Sequence, residues 1–428
     1  MMNNRLLLLL LGSMIALGLV AGFQASAEEK PAPAAKESDG MKAARKAAAH
    51  KKRRIIMNND GNDARGVKEG EAKTPASFLA RRSTPLIGSQ VDAIFYCTGV
   101  FNSYTQRSEE TELRGHSDQY QVDWAWELIG QGTDSLTLMT QFGHEHGMEV
   151  FWSMRMNDTH DSGDQALLCK WKQEHPEYLM GKKGDKFPHG GRRWSAVNYG
   201  LPEVREKVFR ILRDVCSRYD VDGVELDFYR HPVYFKPQMT GDPVLQEHCD
   251  RMTDLLQRIR AMTAEIAEKR GRPMLVAVRV PDSFGFAKAI GLDVERWMKE
   301  DLIDILTGTC YFRFEPWENL VAAGHKYNVP VYACLSGSRL VSAKEPERSG
   351  PDTEAVWHAE AALAWKAGVD GIYTFNRFNP SDRLFWALGS PETLTNVEAP
   401  YQPITGSKKS MDAWLKGGSR FVLLGGQE

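Results

Sequence analysis

The chain predicts an α/β fold, a (β/α)8 TIM barrel with long loops after strands two, three and four. Three observations carry this expectation. Eight short apolar runs rich in Val, Ile, Phe and Tyr follow one another. Helical periodicity fills the intervals between them. Polar residues collect at the C-terminal end of run after run, as on the active face of such a barrel.

The runs are Arg54–Asp60, Val91–Gly99, Met148–Asp158, Val221–Arg230, Met274–Asp282, Asp304–Arg313, Val329–Gly337 and Val369–Asn379. The clearest helix is Leu201–Tyr219. Pro202 and Glu203 suit its first turn, and Val204, Val208, Ile211, Leu212, Val215 and Tyr219 recur at helical spacing. Asp352–Ala367 reads the same way. Gly147, Gly271 and Gly368 each stand between a helix and the next strand, where a left-handed cap is needed. Val221-Asp222-Gly223-Val224 and Val369-Asp370-Gly371-Ile372 echo each other at strands four and eight, a hint of half-barrel symmetry.

The barrel is expected over residues 54–395, and 428 residues suffice for its core. Before it, Arg5, the apolar run Leu6–Val20 and Ala25-Ser26-Ala27 read as a secretory signal peptide over 1–27. The expected location is therefore secreted or periplasmic. The membrane is met only through that signal, or through the same run left uncleaved as an anchor. Residues 28–53, rich in Ala and Lys, read as a basic solvated tether. Residues 396–428 read as a C-terminal tail whose apolar piece, Phe421–Leu424, forms a short strand. A net charge of −2 implies no nucleic-acid partner. The spacing of Cys97, Cys169, Cys216, Cys249, Cys310 and Cys334 matches no zinc site, and buried thiols are expected.

Strand four, Val221 to Pro232, is where chemistry is expected. Alternate residues of a strand share a face, so Glu225 and Asp227 point together, while Val224, Leu226 and Phe228 face the helices. Burying two carboxylates without partners is costly. Glycoside hydrolysis needs such a pair. Asp227 lies nearer the strand end and is the first choice for the charged partner. Glu225 either tunes it or is the second carboxyl. Glu315, Asp282 and Asp158 are candidates for the acid, with Glu315 preferred. The competing reading is that Glu225 and Asp227 pair with Arg155 and Arg279 inside the barrel. Candidate substrate contacts are Asn58, Asp60, Arg155, Asn157, Asp158, Trp194, Tyr199, Arg230, His231, Arg279, Asn376 and Arg377. Trp124, Trp126 and Trp171 join Trp194 and Tyr199 on the long loops, as a stacking platform for a sugar face or, for any one of them, as structural packing.

Strands three to eight each end on or near an arginine: Arg155, Arg230, Arg279, Arg313, Arg339 and Arg377. Guanidinium forks bind carboxylate and sulfate groups, which suggests an anionic glycan. Equally, the arginines neutralise the site's own acids. His144-Glu145-His146 has a metal-ligand spacing but lies before strand three, at the wrong end of the barrel, so no metal and no cofactor is expected.

These residues resemble the secreted bacterial glycosyl-hydrolase-like proteins labelled family-10-like glycosylhydrolases. The resemblance rests on Asp222–Pro232, Ala196–Arg205, Arg155-Met156-Asn157-Asp158 and Ala367–Asn376. It implies a barrel acting on carbohydrate. Relative to the chitinase-like strand four, Glu225 and Asp227 match the inner acids, but Tyr229 stands where the catalytic Glu would be. The expected function is a glycoside hydrolase cleaving a polysaccharide or oligosaccharide. The alternative is a barrel that binds glycan without cleaving it.

Overall fold

The computed structural model describes residues 37–67, 69–114, 123–164, 167–309, 313–337, 340–342, 354–395, 397–398, 401–403 and 408–424. The predicted signal, Arg339 and Cys310 lie outside them. Each apolar run contains one parallel strand: β1 (Ile55–Asn59), β2 (Val91–Tyr96), β3 (Glu149–Arg155), β4 (Gly223–Asp227), β5 (Leu275–Val280), β6 (Ile305–Gly308), β7 (Val331–Ser336) and β8 (Gly371–Phe375). They pair in chain order and close, β8 on β1, into the predicted barrel. Helices alternate with them. α1 (Asp39–Ala49) precedes β1. α2 (Pro75–Ala80), α3 (Ser135–Glu145), α4 (Pro202–Arg218), α5 (Gln246–Arg270), α6 (Val294–Lys299), α7 (Trp317–Lys326) and α8 (Glu354–Ala367) fill the seven intervals between strands. Gly147, Gly271 and Gly368 have φ of 73°, 70° and 94°, the left-handed caps expected of them.

The echo of strands four and eight proves to be part of a larger pattern. Asp222 accepts the Val150 N–H at 2.8 Å, and Asp370 accepts that of Val331 at 2.7 Å. Asp92 does the same for Arg54 at 2.7 Å, and Asp304 for Val276 at 2.8 Å. The acid at the start of each even-numbered strand thus satisfies a main-chain donor at the foot of the strand before it, where no ladder partner exists.

Register fixes what enters the barrel. Ser153, Glu225 and Ala277 are level on β3, β4 and β5, and Arg155, Asp227 and Arg279 are level one step above. In-register residues of parallel strands share a face, so both rows point inward. Lower down, Phe95 stacks on Phe151 at 4.4 Å. A side chain on Gly223 would collide with the Phe151 ring, so strand four begins with glycine.

The tether expected over 28–53 is corrected for its described part. Ser38 caps α1, whose Arg45 is buried against Asp304 and Asp301. Arg53 is fully buried, pairs with Glu149 at 2.8 Å and lies over Phe151. A basic composition is compatible with packing wherever acids wait at the barrel's foot. The tail also differs from expectation. Its strand is Tyr401–Pro403, paired antiparallel with Leu340–Ser342, whereas Gly418–Phe421 is a 3-10 turn. No helix among the described residues is long and apolar enough to cross a membrane.

Candidate functional site

Buried charged side chains of the barrel gather around strand four. Asp227 takes a 2.5 Å salt bridge from Arg279, and both are buried. Its other oxygen accepts the Tyr229 N–H at 2.9 Å. The Arg279 guanidinium also lies 4.2 Å from the Phe375 ring centre. One step deeper, Glu225 has no exposed surface. Its Oε2 accepts hydrogen bonds from the Ser153 and Tyr373 hydroxyls, while Oε1 has no partner. Burial, opposed by Arg279 and reinforced by Asp227, pushes the Glu225 carboxyl up to about 7. The pair therefore divides its labour by depth. Asp227 is held by a cation at the strand end, and Glu225 sits beneath it as a carboxyl that carries a proton near neutrality.

Above β3 lies a second cluster. Asp158 accepts from Arg155 at 2.9 Å and from the His160 Nδ1–H at 2.7 Å. Burial works against its charge, but the His160 hydrogen bond and the nearby Arg155 hold its carboxyl well below the usual range. The Arg230 guanidinium donates to His160 Nε2 at 2.8 Å. His231 is buried beside it, the rings 5.1 Å apart, and its Nδ1 accepts the Thr159 N–H at 3.1 Å. Burial depresses the His231 pKa well below the ordinary value, so the ring is neutral.

One atom each from Asp158, His160 and His231 lies within 4.8 Å of the others, a spacing a metal ion could use. The hydrogen bonds oppose it. A ligating imidazole needs a free lone pair on one nitrogen and an N–H directed at an acceptor on the other. His160 spends its lone pair on Arg230. His231 accepts at Nδ1, so its proton sits on Nε2. Arg155 and Arg230 add two positive charges to a cluster with one carboxylate. The donor set does not fit a cation.

The remaining candidates separate into reachable and committed groups. Asp60 lies at the mouth, tied to Arg82 and felt by Arg155. Asn58 is buried in the barrel, its Nδ2 on the Phe95 carbonyl and its Oδ1 unpartnered. Asn376 is exposed at the end of β8 with φ 57°. Glu315 is half-buried, and its carboxyl accepts from Asn319 at 2.8 Å on the exposed side. Asp282 is buried, bound by the Phe314 and Glu315 N–H groups, and burial pushes it up to about 6.

Three expectations are corrected. Asn157 is buried with both amide hydrogens committed, to the Val197 and Val233 carbonyls, and its oxygen accepts the Val197 N–H, so it ties the loops after β3 and β4 together. Tyr199 is fully buried with its hydroxyl on the Met156 carbonyl, Trp124 is equally buried, and Trp194 is 8% exposed. These three are packed and offer no open face, whereas Trp171 is half-buried and Trp126 is exposed. The arginines chosen from strand ends are engaged from within: Arg155 by Asp158, Arg230 by His160, Arg279 by Asp227, Arg313 by Glu360 and Arg377 by Asp382. His144 pairs with Asp222 at the barrel's foot, as a surface residue.

Sequence reasoning passed over Ser153 and Tyr373 as site residues. The strand-eight echo held a usable signal, because Tyr373 occupies there the place that Glu225 occupies in strand four. It also passed over Arg114 and Arg193, for which no local signal exists.

One segment of the chain matches a known family. Residues 117–248, which hold the Asp158 cluster and all of β4, match the family described as glycosyl hydrolase-like 10. Over 101 residues the chain is 31% identical to glycosyl hydrolase DigH of Escherichia coli K12, a match spanning 23% of either chain. The structure is similar to the glycoside hydrolase domain of PgaB (BpsB) from Bordetella bronchiseptica. That likeness has a TM-score of 0.51 and 11% identity and covers 81% of this chain and 100% of that one, so it speaks for the barrel fold. The sequence and family matches support a glycosyl-hydrolase-like family, as the strand-four residues had indicated.

Proposed function

We propose that the protein is a glycoside hydrolase acting on a polysaccharide or oligosaccharide at the C-terminal mouth of the barrel. The observation that carries this is the stacked pair on β4: Asp227 at the strand end, ion-paired to Arg279, over Glu225, which burial raises to about 7. Asp227 is the carboxylate that meets the sugar. Glu225 is sealed below it and acts as a positioning residue, through Asp227 and the Tyr373 hydroxyl. The acid that protonates the leaving oxygen comes from the β5–β6 side. Asp282, raised to about 6, has the better proton affinity for that role. Glu315 is the alternative, once it leaves Asn319.

Two observations favour a second reading, a barrel that binds glycan without cutting it. Arg279 already occupies Asp227, and Tyr229 stands two residues beyond it, where a catalytic Glu would be. Incubating the protein and Asp227→Asn with a panel of acidic and neutral polysaccharides separates the two. New reducing ends from the parent and none from the variant support the hydrolase. Retention of glycan by both, with no cleavage by either, supports the binder. We also infer export through the N-terminal apolar run; an N-terminus of the secreted protein other than Glu28 would argue against the expected cleavage site.

A further inference from the structure

The arginines picked out by their strand ends are engaged internally, but two others are not. Arg114 ends the small three-stranded sheet after β2, formed by Gly99–Val100, Ser103–Tyr104 and Glu112–Leu113. Its N–H bonds the Tyr104 carbonyl, which fixes the backbone beside the barrel mouth. The side chain is 5% exposed, yet its guanidinium makes no hydrogen bond or ion pair among the described residues. Arg193, on the loop after β3, is half-buried and likewise unpaired. Asp158 lies near enough for its charge to be felt by Arg114, Arg155 and Arg193 alike. That single carboxylate is already bound by Arg155 and His160. Burial, with Arg65 and Arg155 nearby, pushes the Arg114 pKa down to about 10.

A fold does not gain by burying a guanidinium without a counter-charge, and removing such a charge is commonly neutral or stabilising. The same feature is useful where an anion completes it from outside. Arg155 adds to it, since only one hydrogen bond, from Nη1 to Asp158, engages its fork.

We propose that Arg114, Arg155 and Arg193 form a subsite for an anionic group, a carboxylate or sulfate, carried by the carbohydrate. The proposal rests on the carbohydrate reading and names the class of sugar. It takes up the anionic-glycan expectation with Arg155 kept from the residues that suggested it and with Arg114 and Arg193 in place of the others.

The test has two arms. Thermal unfolding of the protein is followed in D-glucuronate and in D-glucose at matched ionic strength. Binding is then measured for uronate oligosaccharides and their carboxyl-reduced twins. The parent is expected to be stabilised by glucuronate alone and to prefer each acidic twin by about tenfold. Arg114→Gln and Arg193→Gln bring that ratio toward one, while Arg213→Gln, at an exposed position beside the cavity between α4 and α5, preserves it. Without ligand, Arg114→Gln is at least as stable as the parent. Equal treatment of acidic and neutral twins by the parent overturns the proposal. So does a preference that survives in both variants, or an Arg114→Gln protein that unfolds while Arg193→Gln keeps the parent's preference. Charge-selective binding without cleavage would sink the hydrolase reading and leave this one standing. Cleavage indifferent to charge would do the reverse.

Discussion

Glu225→Gln tests whether the barrel interior holds a protonated carboxyl. Glu225 is wholly buried, and its pKa stands at about 7 against an ordinary 4.5. Below pH 4.5 the group is protonated in both folded and unfolded chains and contributes no pH dependence. Between the two values the folded chain binds the extra proton, so stability falls as pH rises. Above pH 7 the loss is complete. At about 1.36 kcal/mol per pH unit, that difference amounts to about 3 kcal/mol. Gln cannot ionise, so the variant lacks this loss. Packing and hydrogen-bond effects of the substitution are the same at every pH and cancel from the comparison. The assay is urea unfolding of parent and variant at pH 5 and pH 8. Relative to the parent, Glu225→Gln should gain about 3 kcal/mol between them. In thermal melts, for the unit Ala35–Glu428 of about 390 residues, that is about 4 °C. Parallel pH profiles would refute the reasoning and mean that Glu225 is ionised at neutral pH inside the fold.

Three further outcomes are expected. Arg279→Met leaves Asp227 buried without its cation and should cost about 3–5 kcal/mol in urea unfolding, most of it recovered by adding Asp227→Asn. A neutral Arg279→Met would show that the ion pair does not hold the site. Asn157→Ala removes three bonds, two within the loop after β3 and one from it to the loop after β4, and should cost about 2–3 kcal/mol, with faster proteolysis near Val197 and Val233. Wild-type proteolysis rates would contradict that role. Chelator treatment should leave melting temperature and glycan binding unchanged, because His160 and His231 have no free lone pair to give; a loss restored by added metal would reverse the assignment at Asp158.

The barrel was legible because its signals are local and repeated. All eight strands fall within their apolar runs, and α4 lies within its predicted range. The runs overshoot the strands at their polar ends, where Asn157, Asp158 and Arg230 turn away to make tertiary contacts. Strand four was legible as a site because alternation alone places Glu225 and Asp227 on one face. What composition could not show is pairing over long range. Arg45 and Arg53 looked like tether charges because Asp304 and Glu149 lie far along the chain. Tyr199 and Trp194 looked like ligand aromatics because sequence does not distinguish a packed loop from an open one. Arg114 looked like any other arginine, and only its neighbours reveal that its guanidinium has no partner among the described residues.

The most direct measurement is a crystal structure of Asp227→Asn with a bound oligosaccharide that the parent cleaves. The account predicts a sugar at the C-terminal mouth of the barrel, with residue 227 in hydrogen-bond reach of the scissile linkage and Glu225 covered beneath it. A sugar bound elsewhere, with residue 227 still sealed under Arg279, would contradict it.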